Sequence, residues 1–316
     1  MAMTVTRAAI YEAADKLSNW GRWGKDDQIG TLNNIGPDEI TAAGRLIRQG
    51  KVFGLGLPLD VKIQTGLFGG RWNPIHTFLA TGTDAYSGNQ AEGGLQYADD
   101  ALNMPIQGST HWDSLNHIFL DGKMYNGHDA RLVDSKGGAV NGIENSREKM
   151  VGRGVLLDLA RFKGVDCLED GYAITNADLD ACAAAQGVEI RKGDFVIFRT
   201  GQQEKCLRED DWSGYAGGDA PGVAFENCYW LKEKDVAGIC SDTWGIEVRP
   251  NETSEVNQPW HWVVIPAIGI TMGEIFYLEK LAEDCAADGV YEFFFTAPPL
   301  NLPGATGSPI NPQAIK

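Results

Sequence analysis

The chain has 316 residues, 43% of them hydrophobic and 22% charged, which is enough for an extensive core and gives no sign of disorder. Its formal net charge of −16 argues against a sequence-independent grip on nucleic acid, which needs clustered Lys and Arg, and against docking on anionic lipid. No run approaches the roughly 20 apolar residues that cross a bilayer, and no basic stretch followed by an apolar one opens the chain, so a soluble cytoplasmic protein is expected.

Taken in chain order, residues 1–50 read as an N-terminal helical arm. Asp38 can cap a helix carrying Ile40, Ala43 and Ile47, with Gly50 as its stop. Ahead of it, Trp20 and Trp23 mark an aromatic turn, expected to clasp the core or a partner subunit. Residues 52–59 and 76–80 read as strands between loops rich in Gly and Asn. From 150 to 250, strands alternate with helices: strands at 154–160, 194–199 and 236–240, helices at 175–186 and 224–234, with Gly187 ending the first helix. A strand at 262–270, a helix at 273–286, a strand at 291–296 and a loop-like proline-rich tail complete the chain. One α/β domain covering residues 1–316 is expected, with 1–50 as its arm.

The six cysteines, at 167, 182, 206, 228, 240 and 285, form no Cys-x-x-Cys pair. They fit neither a disulfide scaffold nor a zinc ribbon and are read as reduced, mostly buried thiols. Gly-x-Ser-x-Gly and the Gly-x-x-x-x-Gly-Lys-Ser/Thr loop are both absent, which removes the usual nucleophile elbow and the phosphate loop.

Chemistry concentrates in Gln107-Gly108-Ser109-Thr110-His111-Trp112-Asp113-Ser114-Leu115-Asn116-His117. His111 and Asp113 stand two apart, so on an extended backbone both side chains leave the same face and can share one divalent cation. Gln107 and His117 share that face if the extension persists. The spacing also fits a plainer arrangement, with the Asp pairing a core histidine. Trp112 alternates with the pair and faces the other way on a regular strand; if the strand ends there, it becomes a pocket wall and a substrate contact. His76 is a candidate substrate contact or a structural histidine, His128 follows a turn signal and reads as exposed, and Asp242 or Glu247 could orient a ligand histidine.

This stretch resembles the signature of the cyclase or kynurenine-formamidase-like hydrolase family, commonly written His-x-Gly-Thr-His-x-Asp-x-Pro-x-His. Thr110, His111, Asp113 and His117 match, whereas Gln107, Ser109 and Leu115 replace the family's first His, its Gly and its Pro. Segments 121–127, 153–158, 193–201 and 304–312 are similar to segments of the longer members, so the resemblance runs from about Trp20 onward. It implies a swivelling α/β fold with a mostly β core wrapped by helices, and a homodimer or homotetramer. It further implies His111 and Asp113 as metal ligands, His117 as acid/base, and His261 and Glu274 as the later ligands, on a strand and at the start of the following helix. With the neutral Gln107 in the first ligand place, one tightly held Mn²⁺ or Zn²⁺ is expected. The implied activity is hydrolysis of an amide or lactone bond in a small cyclic or aryl substrate by metal-activated water. A metal-dependent lyase or cyclase, and a non-catalytic metal- or metabolite-binding protein, stand as alternatives.

Overall fold

The computed structural model describes residues 4–65, 70–90 and 93–316. Helices α1 (Arg7–Leu17) and α2 (Pro37–Gly44) lead to strand β1 (Val52–Gly54). The hairpin β2 (Ile75–Ala80) and β3 (Asp99–Asn103) follows, then the short β4 (His111–Asp113). The central alternation is β5 (Val151–Asp158), α3 (Asn176–Ala185), β6 (Phe195–Arg199), α4 (Gln202–Glu209), α5 (Asn227–Lys234) and β7 (Gly238–Ser241). The chain ends with α6 (His261–Val263), β8 (Thr271–Glu274), α7 (Glu279–Asp288), β9 (Glu292–Thr296), β10 (Gly307–Pro309) and β11 (Gln313–Ile315).

Among the described residues, nine of these strands form one mixed sheet in the order β1-β11-β9-β5-β6-β7-β8-β4-β10. Strands β5, β6, β7 and β8 run parallel, and the flanking strands are antiparallel. Every residue of β6 is buried, as its unbroken run Phe-Val-Ile-Phe requires of a parallel strand covered on both faces. Alternation divides that run between two cores. Val196 and Phe198 join the helix-covered cluster with α1, α3 and α5, while Phe195 and Ile197 join Phe293, Phe295 and the inner face of α7. Burial of a side chain such as Phe198 contributes about 2–3 kcal/mol. The expected α/β class with a β core wrapped by helices is what the chain adopts.

Local signals held where capping and strand chemistry agreed. Thr175 caps α3, accepting from the Asp178 amide at 3.1 Å while Asp178 accepts from the Thr175 amide at 3.1 Å, and Gly187 follows the helix at φ 66°. Asp38, in contrast, lies inside the first turn of α2 behind the cap residue Gly36.

Three expectations at the C-terminal end are overturned. Where a strand was expected at 262–270, residues 261–268 form helical turns. Pro266 lacks an amide hydrogen, the turn widens, and the Gly269 amide reaches back five residues to the Val264 carbonyl at 3.0 Å. The loosened carbonyls are taken up by the N-terminal arm: Asn19 donates to Ala267 and Ile268, and the Trp20 indole donates to Pro266 at 2.7 Å. An all-apolar run of this length carries no periodicity, so strand and buried helix read alike in sequence. Glu274 likewise ends a strand, and the helix expected at 273–286 begins only at Glu279. The tail is not all loop, because β10 and β11 both pair into the sheet.

Candidate metal centre

The centre is built on the pairing of β4 with β8. His111 and Asp113 leave the same face of β4, and Glu274 lies directly opposite His111 across the antiparallel ladder. Thr110 pins the entrance to β4: its hydroxyl donates to the Ile275 carbonyl at 2.6 Å and accepts from the Leu57 amide at 2.8 Å. Gly273, opposite Trp112, has to be glycine, because a Cβ there would stand 2.6 Å from the Phe276 ring and 2.8 Å from Cys240 Sγ.

His111 Nε2 lies 3.3 Å from Asp113 Oδ1 and 3.2 Å from Glu274 Oε2, with all three side chains essentially buried. One ligating atom from each of the three falls within 4.8 Å of the others. His111 Nδ1 faces the Ser109 carbonyl at 2.8 Å, so it carries a hydrogen and Nε2 presents its other nitrogen to the carboxylates. Burial alone pushes the His111 pKa down, but contacts with Asp113 and Glu274 outweigh it and hold the imidazole up at about 9. Burial pushes Asp113 up, and the charges of His117, His111 and Arg71 overcome this and keep it well below the usual carboxylate range. Glu274 is lowered as well, where burial is outweighed by its contacts with His111 and His261.

His261 stands at the back of the cluster, its Nε2 3.4 Å from Glu274 Oε1 and its Nδ1 2.5 Å from Glu247 Oε1. Burial lowers its pKa, and Glu247 and then Glu274 raise it to about 10. Glu247 also accepts from the amides of Trp260 and His261, each at 3.2 Å, which ties the start of α6 to the site. Of the two carboxylates expected to orient a histidine, Glu247 does so. Asp242 instead binds the amides of Thr200 and Gly201 at 2.8 and 2.7 Å.

His117 reaches the site by a turn rather than by continued extension, its amide bonding to the Ser114 carbonyl at 3.2 Å. The imidazole keeps 21% of its surface exposed, and its Nε2 lies 3.7 Å from Asp113 Oδ2. Burial lowers its pKa more than Asp113 raises it, so the ring is neutral at neutral pH. The Gln107 amide nitrogen contacts His117 Nδ1 at 3.5 Å and Thr306 at 3.4 Å. Gln107, expected as a weak metal ligand, therefore stands beside His117 at the edge of the centre.

Other expectations are corrected. Trp112 is fully buried on the opposite face of β4, packed against Phe195, Phe276 and Phe295, and its indole donates to the Ala297 carbonyl at 2.8 Å, so it is a core residue facing away from the cluster. His76 is exposed on the hairpin, paired with Asp100 at 2.7 Å, and lines a cavity of about 660 Å³ with Leu59, Asp60, Lys62 and Pro74 rather than the cluster. His128 is half-buried, with its Nε2 enclosed. Sequence reasoning missed Arg71, whose charge lowers both Asp113 and His117. It sits in a loop with no periodicity or motif to mark it.

Burial pushes the thiols of Cys167 and Cys206 up to about 12 and about 11, so neither is a thiolate nucleophile at neutral pH. Two atoms of the cluster, His111 Nε2 and Asp113 Oδ1, are buried without a hydrogen-bond partner. Buried polar atoms in that condition are rare and costly, and a divalent cation accepting electron pairs from both satisfies them. The donor set fits such an ion.

Fold and centre together define an α/β protein with a buried imidazole–carboxylate site suited to a divalent cation. The family model described as putative cyclase matches residues 29–248, and the chain belongs to that family. A solved structure described as a novel cyclase is 39% identical, with a TM-score of 0.87 over 96% of this chain and 99% of the other. Isatin hydrolase A from Ralstonia solanacearum shares the fold at 20% identity, TM-score 0.62, over 87% of this chain and 93% of its own. So does a structure described as a potential metal-dependent hydrolase with cyclase activity, at 18% identity and TM-score 0.50, over 84% and 98% of the two chains. No curated protein matches. Among the described residues, no helix is long and apolar enough to cross a membrane.

Proposed function

We propose that this protein is a metal-dependent hydrolase acting on the amide C–N or lactone C–O bond of a small cyclic or aryl substrate. The observation that carries the reading is the convergence of buried ligand atoms from His111, Asp113 and Glu274 within 4.8 Å of one another, with His111 Nε2 and Asp113 Oδ1 lacking a hydrogen bond. His111, Asp113 and Glu274 would hold the ion, with His261 next to Glu274. Their mixed nitrogen and oxygen donors suit Mn²⁺ or Zn²⁺. When bound, the cation supplies Lewis-acid polarisation of the carbonyl and acidifies a water.

His117 is the acid/base. Lowered in pKa and partly exposed, it takes a proton from the attacking water and returns it to the leaving nitrogen or oxygen. Asp113 stabilises the imidazolium formed in between. The Gln107 amide can turn either its oxygen or its nitrogen to Nδ1, so it serves His117 in both protonation states. Lactams such as isatin head the substrate search because isatin hydrolases share the fold.

Elemental analysis of protein purified without added metal, followed by a screen of formanilides, isatin-like lactams and lactones in H₂¹⁸O, tests the reading. Hydrolysis places one water oxygen in the product acid. Turnover without ¹⁸O makes the protein a lyase or cyclase, and absence of metal removes the proposed chemistry altogether.

The homodimer or homotetramer and the cytoplasmic location are part of the same proposal. Supporting it, Trp72, Phe78, Leu79 and Tyr97 leave apolar surface exposed around the β2–β3 hairpin, which a second copy of the chain would cover, and all six cysteines are free. Light scattering of wild type against Phe78→Asp/Leu79→Asp reads the assembly.

A further inference from the structure

We propose that the side-chain amide of Gln258 is a substrate-binding group, donating a hydrogen bond to the acyl oxygen of the substrate in a recess that Gly245 leaves open beside Glu274. The proposal rests on the hydrolase reading of the adjacent centre and adds to it a residue that holds the substrate there.

Gly245 lies in the segment that leaves the carboxyl end of β7, the end at which parallel sheets place their ligands. Neither its conformation nor its packing demands glycine. Its φ lies outside the left-handed region, and a Cβ built on it would clash with nothing. Among the described residues, its chain neighbours apart, that Cβ would come within 4 Å of two atoms only, Gln258 Nε2 at 3.4 Å and Glu274 Oε1 at 3.9 Å. Gly245 is nevertheless buried, so the missing side chain leaves a recess with a ligand carboxylate on one side and the Gln258 amide on the other. Close approach of a bound molecule to the backbone is what calls for glycine at such a place.

Gln258 is anchored to serve that recess. Its backbone sits at φ 54°, a conformation that few residues other than glycine hold without support from their surroundings. Its main-chain amide donates to Asn251 Oδ1 at 2.9 Å, and the Asn251 side chain donates to the Val248 carbonyl at 2.9 Å and to Glu247 Oε2 at 3.3 Å. Glu247 is the carboxylate that orients His261, so one anchor sets both Gln258 and the back of the cluster. The side-chain amide stays outside this network, since neither its nitrogen nor its oxygen bonds to another described residue. It can therefore turn an N–H to an oxygen in the recess. An acyl oxygen accepts more strongly as charge develops on it during attack, so a donor held here favours the tetrahedral state over the substrate. A neutral donor also suits a place beside Glu274, where another carboxylate would be repelled and a lysine would compete with the cation.

Calorimetric titration of benzoate into metal-loaded wild type, Gln258→Asn, Gln258→Glu and Gly245→Ala tests the assignment without requiring turnover, with metal content measured on each sample. Benzoate stands for the carboxylate that hydrolysis releases: one oxygen can meet the ion and the other accept from Gln258. Gln258→Asn tolerates the positive φ and shortens the reach of the amide. It should weaken benzoate about tenfold, the scale of one hydrogen bond to a charged group, with metal content unchanged. Gln258→Glu should weaken it further through like-charge repulsion, and Gly245→Ala, whose methyl occupies the recess, at least as much as Gln258→Asn. Wild-type benzoate affinity in Gln258→Asn or in Gly245→Ala, or a wild type that loads metal and binds no benzoate, overturns the proposal and leaves the hydrolase reading standing. Loss of metal in Gln258→Asn overturns it too, by making Gln258 a support of the cluster. A wild type that holds no metal sinks the hydrolase reading itself, and this proposal with it.

Discussion

Glu274 faces His111 across the β8–β4 ladder, its Oε2 3.2 Å from the histidine Nε2. Directly opposed residues of an antiparallel pair share a face with Cβ atoms about 4.5–5.5 Å apart, and residues two apart on one strand share it too. Two strands thus bring His111, Asp113 and Glu274 to one point with no flexible loop among them. Rigid strands position ligands more accurately than loops do.

Glu274→Gln keeps the shape of the side chain and removes its charge. The variant should fold and bind metal more weakly than the roughly 10–100-fold that loss of an outer-shell partner costs. Elemental analysis with circular dichroism separates this from unfolding. Full metal occupancy in a folded Glu274→Gln would remove Glu274 from the ligand set.

Glu247 acts one layer out. It fixes the His261 ring through Nδ1 and leaves Nε2 turned toward Glu274. Glu247→Gln should weaken metal binding by about 10–100-fold in a chelator competition, with the fold intact. An unchanged affinity would mean that His261 is a structural histidine and no ligand.

Much of this was legible in the sequence, for stated physical reasons. The His-x-Asp spacing needs only an extended backbone, and β4 supplies three residues of it, which is enough. The buried runs at β5 and β6 and the helix stop at Gly187 are local signals that tertiary packing did not override. What failed was non-local. Glu274 was named as a ligand through the resemblance and joins the cluster, but its place on a strand opposite His111 depends on register, which no local pattern encodes, and the apolar run around Pro266 looks the same whether helical or extended. Arg71 stacks on Trp244, which bonds Gln64, and these three residues are brought together from distant parts of the sequence.

His117→Ala should retain stoichiometric metal and lose about 10²–10⁴ in kcat, the range of one general acid/base. Gln107→Ala, which removes the group at Nδ1 together with its contact to Thr306, should lose less and shift the pH–rate profile. Loss of metal in His117→Ala would make His117 a ligand instead.

Trp112 decides between a pocket wall and a core residue. Trp112→Phe removes the bond to the Ala297 carbonyl and leaves a void among Phe195, Phe276 and Phe295. A loss of about 2 kcal/mol in denaturant unfolding is expected, with KM unchanged for the metal-loaded enzyme. A large change in KM at unaltered stability would return Trp112 to the substrate pocket.

Metal and proton compete for the same nitrogen. In the metal-free protein His111 is held up at about 9 and His261 at about 10, in each case because contacts with carboxylates outweigh burial. Both pKa values lie above the ordinary histidine value, so the stability these contacts give the metal-free fold is complete below about pH 6.5 and fades as pH rises through 9 to 10. A cation binds the neutral imidazole and must expel the proton. Apparent affinity should therefore climb about tenfold per pH unit for each proton released, flattening above the folded-state values. Calorimetry of Zn²⁺ or Mn²⁺ binding at pH 7.5, in buffers of different ionisation enthalpy, should register release of at least one proton. The rise in Tm on adding metal should likewise be larger at pH 8.5 than at pH 6. Binding with no proton release would mean that His111 is already neutral without the ion, and that its contacts with Asp113 and Glu274 are not ion pairs.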